Sequence, residues 1–147
     1  MGKKMTKKPV VYLGGPIEGV TKETWQWRNL LKQDELLAEI IEFRDPTLRK
    51  AFHSQEYSSN PSKKIMKADL WDIDNSDILF CNLLDRGEGK AWGSVSEIMY
   101  AWTKGKIIIT ILESEFKHPF IESCSTLLVH TVEDAIKELK DIVAWQT

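Results

Sequence analysis

The sequence predicts one α/β domain: a parallel sheet of about five strands with helices on both faces. Three observations predict it. Short apolar runs rich in β-branched residues alternate with longer stretches of helical periodicity, the pattern of parallel strands joined by crossover helices. The chain has 147 residues, and a domain of that size buries roughly 68–70 % of its unfolded surface without staples. No internal repeat, low-complexity tract or linker divides it. Residues 1–8 are expected to form a flexible basic tail carrying Lys3, Lys4, Lys7 and Lys8, and 9–147 the domain.

The elements follow in order. Pro9–Gly14 is a short apolar run closed by Gly14-Gly15-Pro16, which reads as a buried strand. Thr24–Leu37 has helical spacing through Trp27, Leu30, Leu31 and Asp34, with Thr21 or Thr24 as its cap. Glu39–Arg44 is a second strand, ended by Asp45-Pro46 because a residue before proline avoids the helical region. After the polar stretch His53–Pro61, a helix is expected from Ser62 to Asn75. Asp77–Leu83 is a third strand, apolar on both faces and therefore central. A charged loop, Asp85–Ala91, leads to a helix over Gly93–Lys104 that Gly105 closes. Lys106–Leu112 is the fourth strand, Phe116–Cys124 a loop, Thr126–Val129 a short fifth strand, and Thr131–Trp145 the last helix. Thr131 and Asp134 are spaced as a variant capping box.

Composition excludes several classes. Twenty basic and 22 acidic residues give a net charge of −2, which provides no general field for a nucleic acid polymer. No apolar stretch reaches the roughly 20 residues a membrane helix needs, and the N-terminus lacks a signal peptide's apolar core. Cys81 and Cys124 make no disulfide framework, and neither a CxxC nor a histidine cluster suggests zinc. A cytoplasmic protein without metal or redox cofactor is the expectation.

In such sheets ligands bind at the carboxyl ends of the strands. That rule selects Gly14–Gly19, Asp45–Arg49, Asn82–Trp92 and Glu113–Pro119 as the candidate rim. Glu97 follows this rim in Gly93-Ser94-Val95-Ser96-Glu97. Ser94-x-x-Glu97 has capping-box spacing, so Glu97 either caps its own helix or serves as a reactive carboxylate. It lies roughly 160° around the helix from a Val95, Ile98, Met99, Trp102 stripe, and so away from the expected core. The nearby helix N-terminus would favour its ionised form. Asp69 lies in an Ile65, Asp69, Ile73 row beside Met66 and Leu70. There it is either a partly desolvated proton donor or a helix-flank charge that reaches water. Gly14-Gly15-Pro16-Ile17 is a tight turn that lets a ligand approach the backbone, but G-x-G-x-x-G and the P-loop are absent. Trp25, Trp27 and Trp71 are base-stacking candidates or core residues; Arg28, Arg44 and Arg49 are anion binders or surface charges.

Together these pieces resemble the nucleoside 2-deoxyribosyltransferase family. The carrying residues are Val11–Ile17, Asp69-Leu70 before Asn75–Ile78, and Gly93–Ala101 with the pattern G-[ST]-x-x-E-[IL]-x-x-A, followed by Gly105-Lys106. His118-Pro119-Phe120 and Thr131–Leu139 look like the phage and bacterial branch, and the likeness spans about Val10 to Leu139. The resemblance implies a flavodoxin-like domain in which Glu97 attacks C1′ of a deoxyribose. It implies that Asp69 exchanges a proton with the base, and that Gly14, Gly15, Pro16 and Ile17 approach the nucleobase. The partners implied are a nucleoside or nucleotide, a free nucleobase and further copies of the chain sharing sites. Many members carry an aspartate where this chain has Ala91; Asp45, Asn82 and Asp85 are the other polar rim residues expected to bind substrate, with Asp85 or Asn82 standing in for that aspartate. Ser94 and Ser96 replace a glycine-rich segment, and related N-glycosidases hold a 5′-phosphate with serines at such a helix start. The expected reaction is deoxyribosyl transfer between bases. The alternatives are hydrolysis of a nucleoside 5′-monophosphate and a non-catalytic nucleotide sensor.

Overall fold

The first strand, β1 (Val10–Gly14), alternates its side chains between two apolar layers: Val11 and Leu13 enter one, Tyr12 the other. The structure, a computed structural model, describes residues 7–17, 26–48, 61–84, 86 and 91–145. After β1 come α1 (Gln26–Gln33), α2 (Glu35–Ile40), β2 (Glu42–Arg44) and a 3₁₀ turn (Pro46–Leu48). Then follow α3 (Pro61–Asp74), β3 (Ile78–Asn82), α4 (Trp92–Thr103), β4 (Ile107–Ile111), α5 (Pro119–Cys124), β5 (Leu127–Val129) and α6 (Val132–Trp145).

All five strands are parallel, in the order β2-β1-β3-β4-β5. Every residue of β3 is buried, as its central place requires. Val11, Leu13, Phe80, Ile109 and Ile111 pack one face against Trp27 and Leu31 of α1, Leu37 of α2 and Ala135, Leu139 and Val143 of α6. Tyr12, Leu79, Cys81 and Ile108 pack the other against Ile73 of α3, Ile98 and Ala101 of α4 and Ile121 of α5. This is the flavodoxin-like α/β sandwich expected. From β1 the chain goes to one neighbour, β2, and then to the other, β3. The carboxyl ends of β1 and β3 therefore form the switch point, where such sheets open a crevice.

Four local expectations change. The helix expected over Thr24–Leu37 is two helices, because Asp34 takes an extended backbone and caps α2, accepting the Leu37 N–H at 3.1 Å. The second strand begins at Glu42 rather than Glu39, since α2 runs on to Ile40. Pro119 opens a helix inside the expected loop Phe116–Cys124, at the first helical position where its missing N–H costs nothing. The buried stripe of α4 is Ser94, Ile98 and Ala101, while Trp102 is 53 % exposed. Gly105 (φ +70°) and Thr131, whose hydroxyl accepts the Asp134 N–H at 3.0 Å, end α4 and begin α6 as expected. Of the expected tail, Lys7 and Lys8 are exposed, and Lys3 and Lys4 lie outside the described residues. Among the described residues no helix is long and apolar enough to cross a membrane.

Candidate active site at the switch point

Three elements converge where β1 ends. Gly14 pairs with Cys81 across β1 and β3. A methyl group on Gly14 would sit 3.1 Å from Leu79 Cδ1 and 3.6 Å from Glu97 Oε1, so the Glu97 carboxylate lies close over this glycine. Gly15 turns the chain with φ +146°. A Cβ there would meet the Asn82 carbonyl oxygen at 2.7 Å, so only glycine fits. Pro16 and Ile17 follow, partly exposed.

Glu97 is half-buried in α4, and Tyr12 Oη donates a hydrogen bond to its Oε2 at 3.0 Å. Three expectations about Glu97 change here. The residue that caps α4 is Ala91, in the left-handed region (φ 54°) with no side-chain hydrogen bond, so Ser94 stands inside the first turn and Glu97 does not close a capping box. Glu97 also borders the buried Ser94, Ile98, Ala101 stripe instead of pointing away from the core. It is the sixth residue of the helix, beyond the turn over which the dipole acts strongly. The tyrosine hydroxyl holds one of its carboxylate oxygens and so orients the group.

Asp69 stands one helical turn before Ile73, on the side of α3 that faces the same apolar layer as Tyr12 and Ile98. It is half-buried. Because α3 descends from the carboxyl edge of the sheet, Asp69 lies nearer that edge than Ile73. The neighbouring acids are committed elsewhere. Asp72 pairs with Arg44 at 3.2 Å, Asp74 accepts from Tyr100 Oη at 2.8 Å, and Asp77 accepts the Val10 N–H at 2.8 Å at the amino edge.

On the other face of β1 the polar residues are buried in a network. Arg28 is 1 % exposed and stacks on Trp27 with its guanidinium carbon 4.4 Å from the ring centre. Asp45, a rim residue of the sequence reading, receives Lys32 Nζ at 2.6 Å, Thr47 Oγ1 at 2.6 Å and the Thr47 N–H at 2.9 Å, with Arg28 Nε at 3.7 Å. Burial pushes the Asp45 carboxyl up, but the Lys32 and Thr47 hydrogen bonds outweigh it and hold the group below the ordinary carboxylate range. Burial pulls the Arg28 guanidinium down, and Asp45 opposes that. The Cys81 thiol is pushed up by burial and by the Glu97 charge, so it stays protonated and unreactive.

The remaining rim residues divide. Asn82 is buried, and its Oδ1 accepts the Leu84 N–H at 3.0 Å. Ser94 is 6 % exposed in the first turn of α4, whereas Ser96 is exposed and donates to the Trp92 carbonyl at 2.8 Å. Arg86 bridges the loops after β3 and β4, donating to the Leu83 carbonyl at 2.6 Å and to Glu113 Oε2 at 2.9 Å. Trp27 is a core residue stacked on Phe80 at 5.8 Å, and Trp71 is exposed on α3 beside Arg44. Asp85, Trp25 and Arg49 lie outside the described residues. No group of three metal-ligating side chains occurs among the described residues. Sequence reading gave no role to Tyr12 and expected Arg28 at the surface or on an anion. The signal for Tyr12 was its place in an otherwise aliphatic strand, since a buried tyrosine hydroxyl needs a partner.

Fold and site together define a single-domain α/β protein with flavodoxin-like strand order and a tyrosine-held carboxylate at its switch point. The chain is similar in structure to a conserved protein of Enterococcus faecalis V583, with TM-score 0.73 and 17 % identity over 92 % of this chain and 99 % of that one. It is also similar to BlsM, with TM-score 0.57 and 17 % identity over 93 % of this chain and 94 % of that one. These likenesses concern the fold. No protein-family signature and no curated protein matches the chain in sequence.

Proposed function

We propose that the protein breaks the N-glycosidic bond of a 2′-deoxynucleoside and transfers the sugar to a second nucleobase. The observation that carries this reading is the Glu97 carboxylate, hydrogen-bonded by Tyr12 and lying over Gly14. A carboxylate so placed can meet the positive character that develops at C1′ as the base leaves. In the first step Glu97 Oε bonds to C1′, the C1′–N bond breaks, and the base leaves with the electron pair. A proton from Asp69 neutralises the departing base. In the second step a nitrogen of the acceptor base attacks C1′, the C1′–O bond breaks to restore the carboxylate, and the acceptor's proton returns to Asp69. No metal or redox cofactor enters these steps. The resemblance further suggests an oligomer with shared sites, and the composition a cytoplasmic setting.

A second reading is hydrolysis of a nucleoside 5′-monophosphate, with water in place of the acceptor base. The observation favouring it is Ser94, buried in the first turn of a helix whose cap gives no side-chain hydrogen bond. Free N–H groups there attract an anion. Against it, Arg86, the arginine nearest Ser94 in sequence, is already paired with Glu113, and a dianion usually recruits one. Chromatography of the products from deoxynucleosides and deoxynucleotides, with and without an acceptor base, tests both. A new nucleoside formed only when acceptor is present supports transfer. Free base and sugar phosphate support the second reading, and no product from any substrate removes both.

A further inference from the structure

β1 outruns its neighbour. β2 pairs with Val10, Val11 and Tyr12 and stops at Arg44, and Pro46 has no N–H to give. Beyond Tyr12 the edge of β1 needs another donor, because buried carbonyls are rarely left unpaired. Arg28 supplies it from α1. Its Nε donates to the Leu13 carbonyl at 3.2 Å and its Nη2 to the Gly15 carbonyl at 3.2 Å, one on each side of Gly14. Trp27 and Arg28 also wall the turn: a Cβ on Gly15 would lie 3.3 Å from Trp27 Cζ2 and 3.5 Å from Arg28 Nη2.

Stability alone does not account for this arrangement. Replacing a buried ion pair by apolar residues of similar volume is often neutral or stabilising. Here the guanidinium is buried, and its Nη1 lacks a hydrogen-bond partner among the described residues, an added cost. What the planar fork provides is geometry, since two of its N–H groups reach two carbonyls while its face rests on an indole. Gly14, the residue between those carbonyls, is the one over which Glu97 Oε1 lies.

We propose that Arg28 is a positioning residue: it fixes the Gly14–Gly15 turn against the Glu97 carboxylate and so sets where a substrate lying on the turn meets that carboxylate. The inference rests on the reading of Glu97 as the attacking group, and its test separates the two. Arg28→Lys keeps the charge near Asp45 and loses the fork. It should lower kcat by about tenfold to a hundredfold, the cost of roughly 1 Å of misplacement, with KM within about threefold. A residue that merely supported the fold would change the folded fraction and leave kcat per folded molecule unchanged.

The second readout needs no activity. Amide hydrogen exchange at Gly15 and Ile17 should quicken by about tenfold or more in Arg28→Lys, while Leu79 and Phe80 in β3 keep their protection. Arg28→Met should show the same pattern, and Arg28→Met with Asp45→Asn removes both charges together if the single variant does not fold. Unchanged exchange at Gly15 and Ile17 overturns the inference. So does unchanged kcat in an active Arg28→Lys protein. If the wild type turns over no nucleoside or nucleotide, the Glu97 reading fails, and the exchange rates alone decide whether Arg28 holds the turn.

Discussion

On the α1 side of β1, Arg28, Lys32, Asp45 and Thr47 turn their polar atoms on one another; on the α3 and α4 side, Tyr12 and Glu97 meet where Glu97 remains half-exposed. The second cluster borders Gly14, and the first borders Gly15 through Arg28. Their burial differs: the Asp45 side chain is 3 % exposed and its carboxyl is saturated with donors, so a ligand would have to displace Lys32 or Thr47. Glu97 keeps part of its side chain at the surface while Tyr12 holds its Oε2. The difference teaches that burial, more than residue type, sets a scaffold carboxylate apart from the one proposed to react.

The sharpest way to break this comparison is to remove the open carboxylate. Glu97→Ala should lower kcat by about a thousandfold or more and leave the fold intact, because a covalent nucleophile has no substitute in the site. Thermal unfolding beside product formation checks it. A folded variant keeping more than about a tenth of the activity would remove Glu97 from the role of nucleophile.

The sealed carboxylate should behave the other way. Asp45→Asn should cost ~2–3 kcal/mol at neutral pH, towards the lower end for a broken buried pair because Lys32 can still reach water. The sign of its pH dependence follows from the depressed carboxyl. The folded value lies below the unfolded one, so the stabilisation is complete above the ordinary carboxylate range and is lost as pH falls through the folded value. Denaturant unfolding from pH 7 downwards should therefore show wild type and variant converging in acid. A constant gap between them would mean that Asp45 acts through shape and not charge.

How much of this contrast was legible differs residue by residue. The parallel sheet and the place of the rim follow from alternation of strand and helix, and Glu97 stood out because its motif follows that rim. The rotation of α4 did not, because Trp102 and Met99 are large apolar side chains and Ser94 and Ala101 are small ones. Yet Ser94 and Ala101 are buried beside Ile98, and Trp102 is 53 % exposed. Small residues make a close helix approach possible, and hydrophobic weighting does not see that. Arg28 was read as a lone charge because the carbonyls it serves lie 13 and 15 residues away in sequence. The break at Asp34 was hidden by Leu30, Leu31 and Leu37, whose spacing continues the helical row through a residue that prefers to cap.

Asp69→Asn sharpens the open side. An amide keeps the shape and delivers no proton, so kcat should fall by about a hundredfold for natural bases, within the range of general acid catalysis, and by much less for bases that leave readily. Initial rates across bases of differing basicity check it. Equal losses would make Asp69 a support of α3 and not an acid. Tyr12→Phe should be milder, with a loss of about tenfold in kcat/KM, since one hydrogen bond to a charged group is worth roughly 1.5–3 kcal/mol and Glu97 remains to react. A loss as deep as that of Glu97→Ala would give the tyrosine hydroxyl a larger part than holding the carboxylate.

The smallest effect is expected at Ser94, and it decides between substrates. Its hydroxyl is buried in the first turn of α4, where Ala91 leaves the helix start without a side-chain cap. A nucleoside carries nothing that needs this corner. For it, Ser94→Ala should change KM by less than about twofold, with a stability change of ~1 kcal/mol or less for one neutral hydroxyl. A 5′-phosphate would use the corner, because the free N–H groups and the hydroxyl donate to a dianion. Each charge-assisted bond is worth ~1.5–3 kcal/mol, so the same substitution would raise KM for a monophosphate about tenfold or more. The nucleoside is favoured because Arg86 is held by Glu113 and the Leu83 carbonyl and stacks on Phe116 at 4.8 Å, leaving it engaged away from a phosphate. Steady-state kinetics on matched nucleoside and monophosphate pairs check it. A wild type that prefers the monophosphate, with a Ser94→Ala variant that loses only that preference, would make the open cluster a nucleotide site and put hydrolysis in place of transfer.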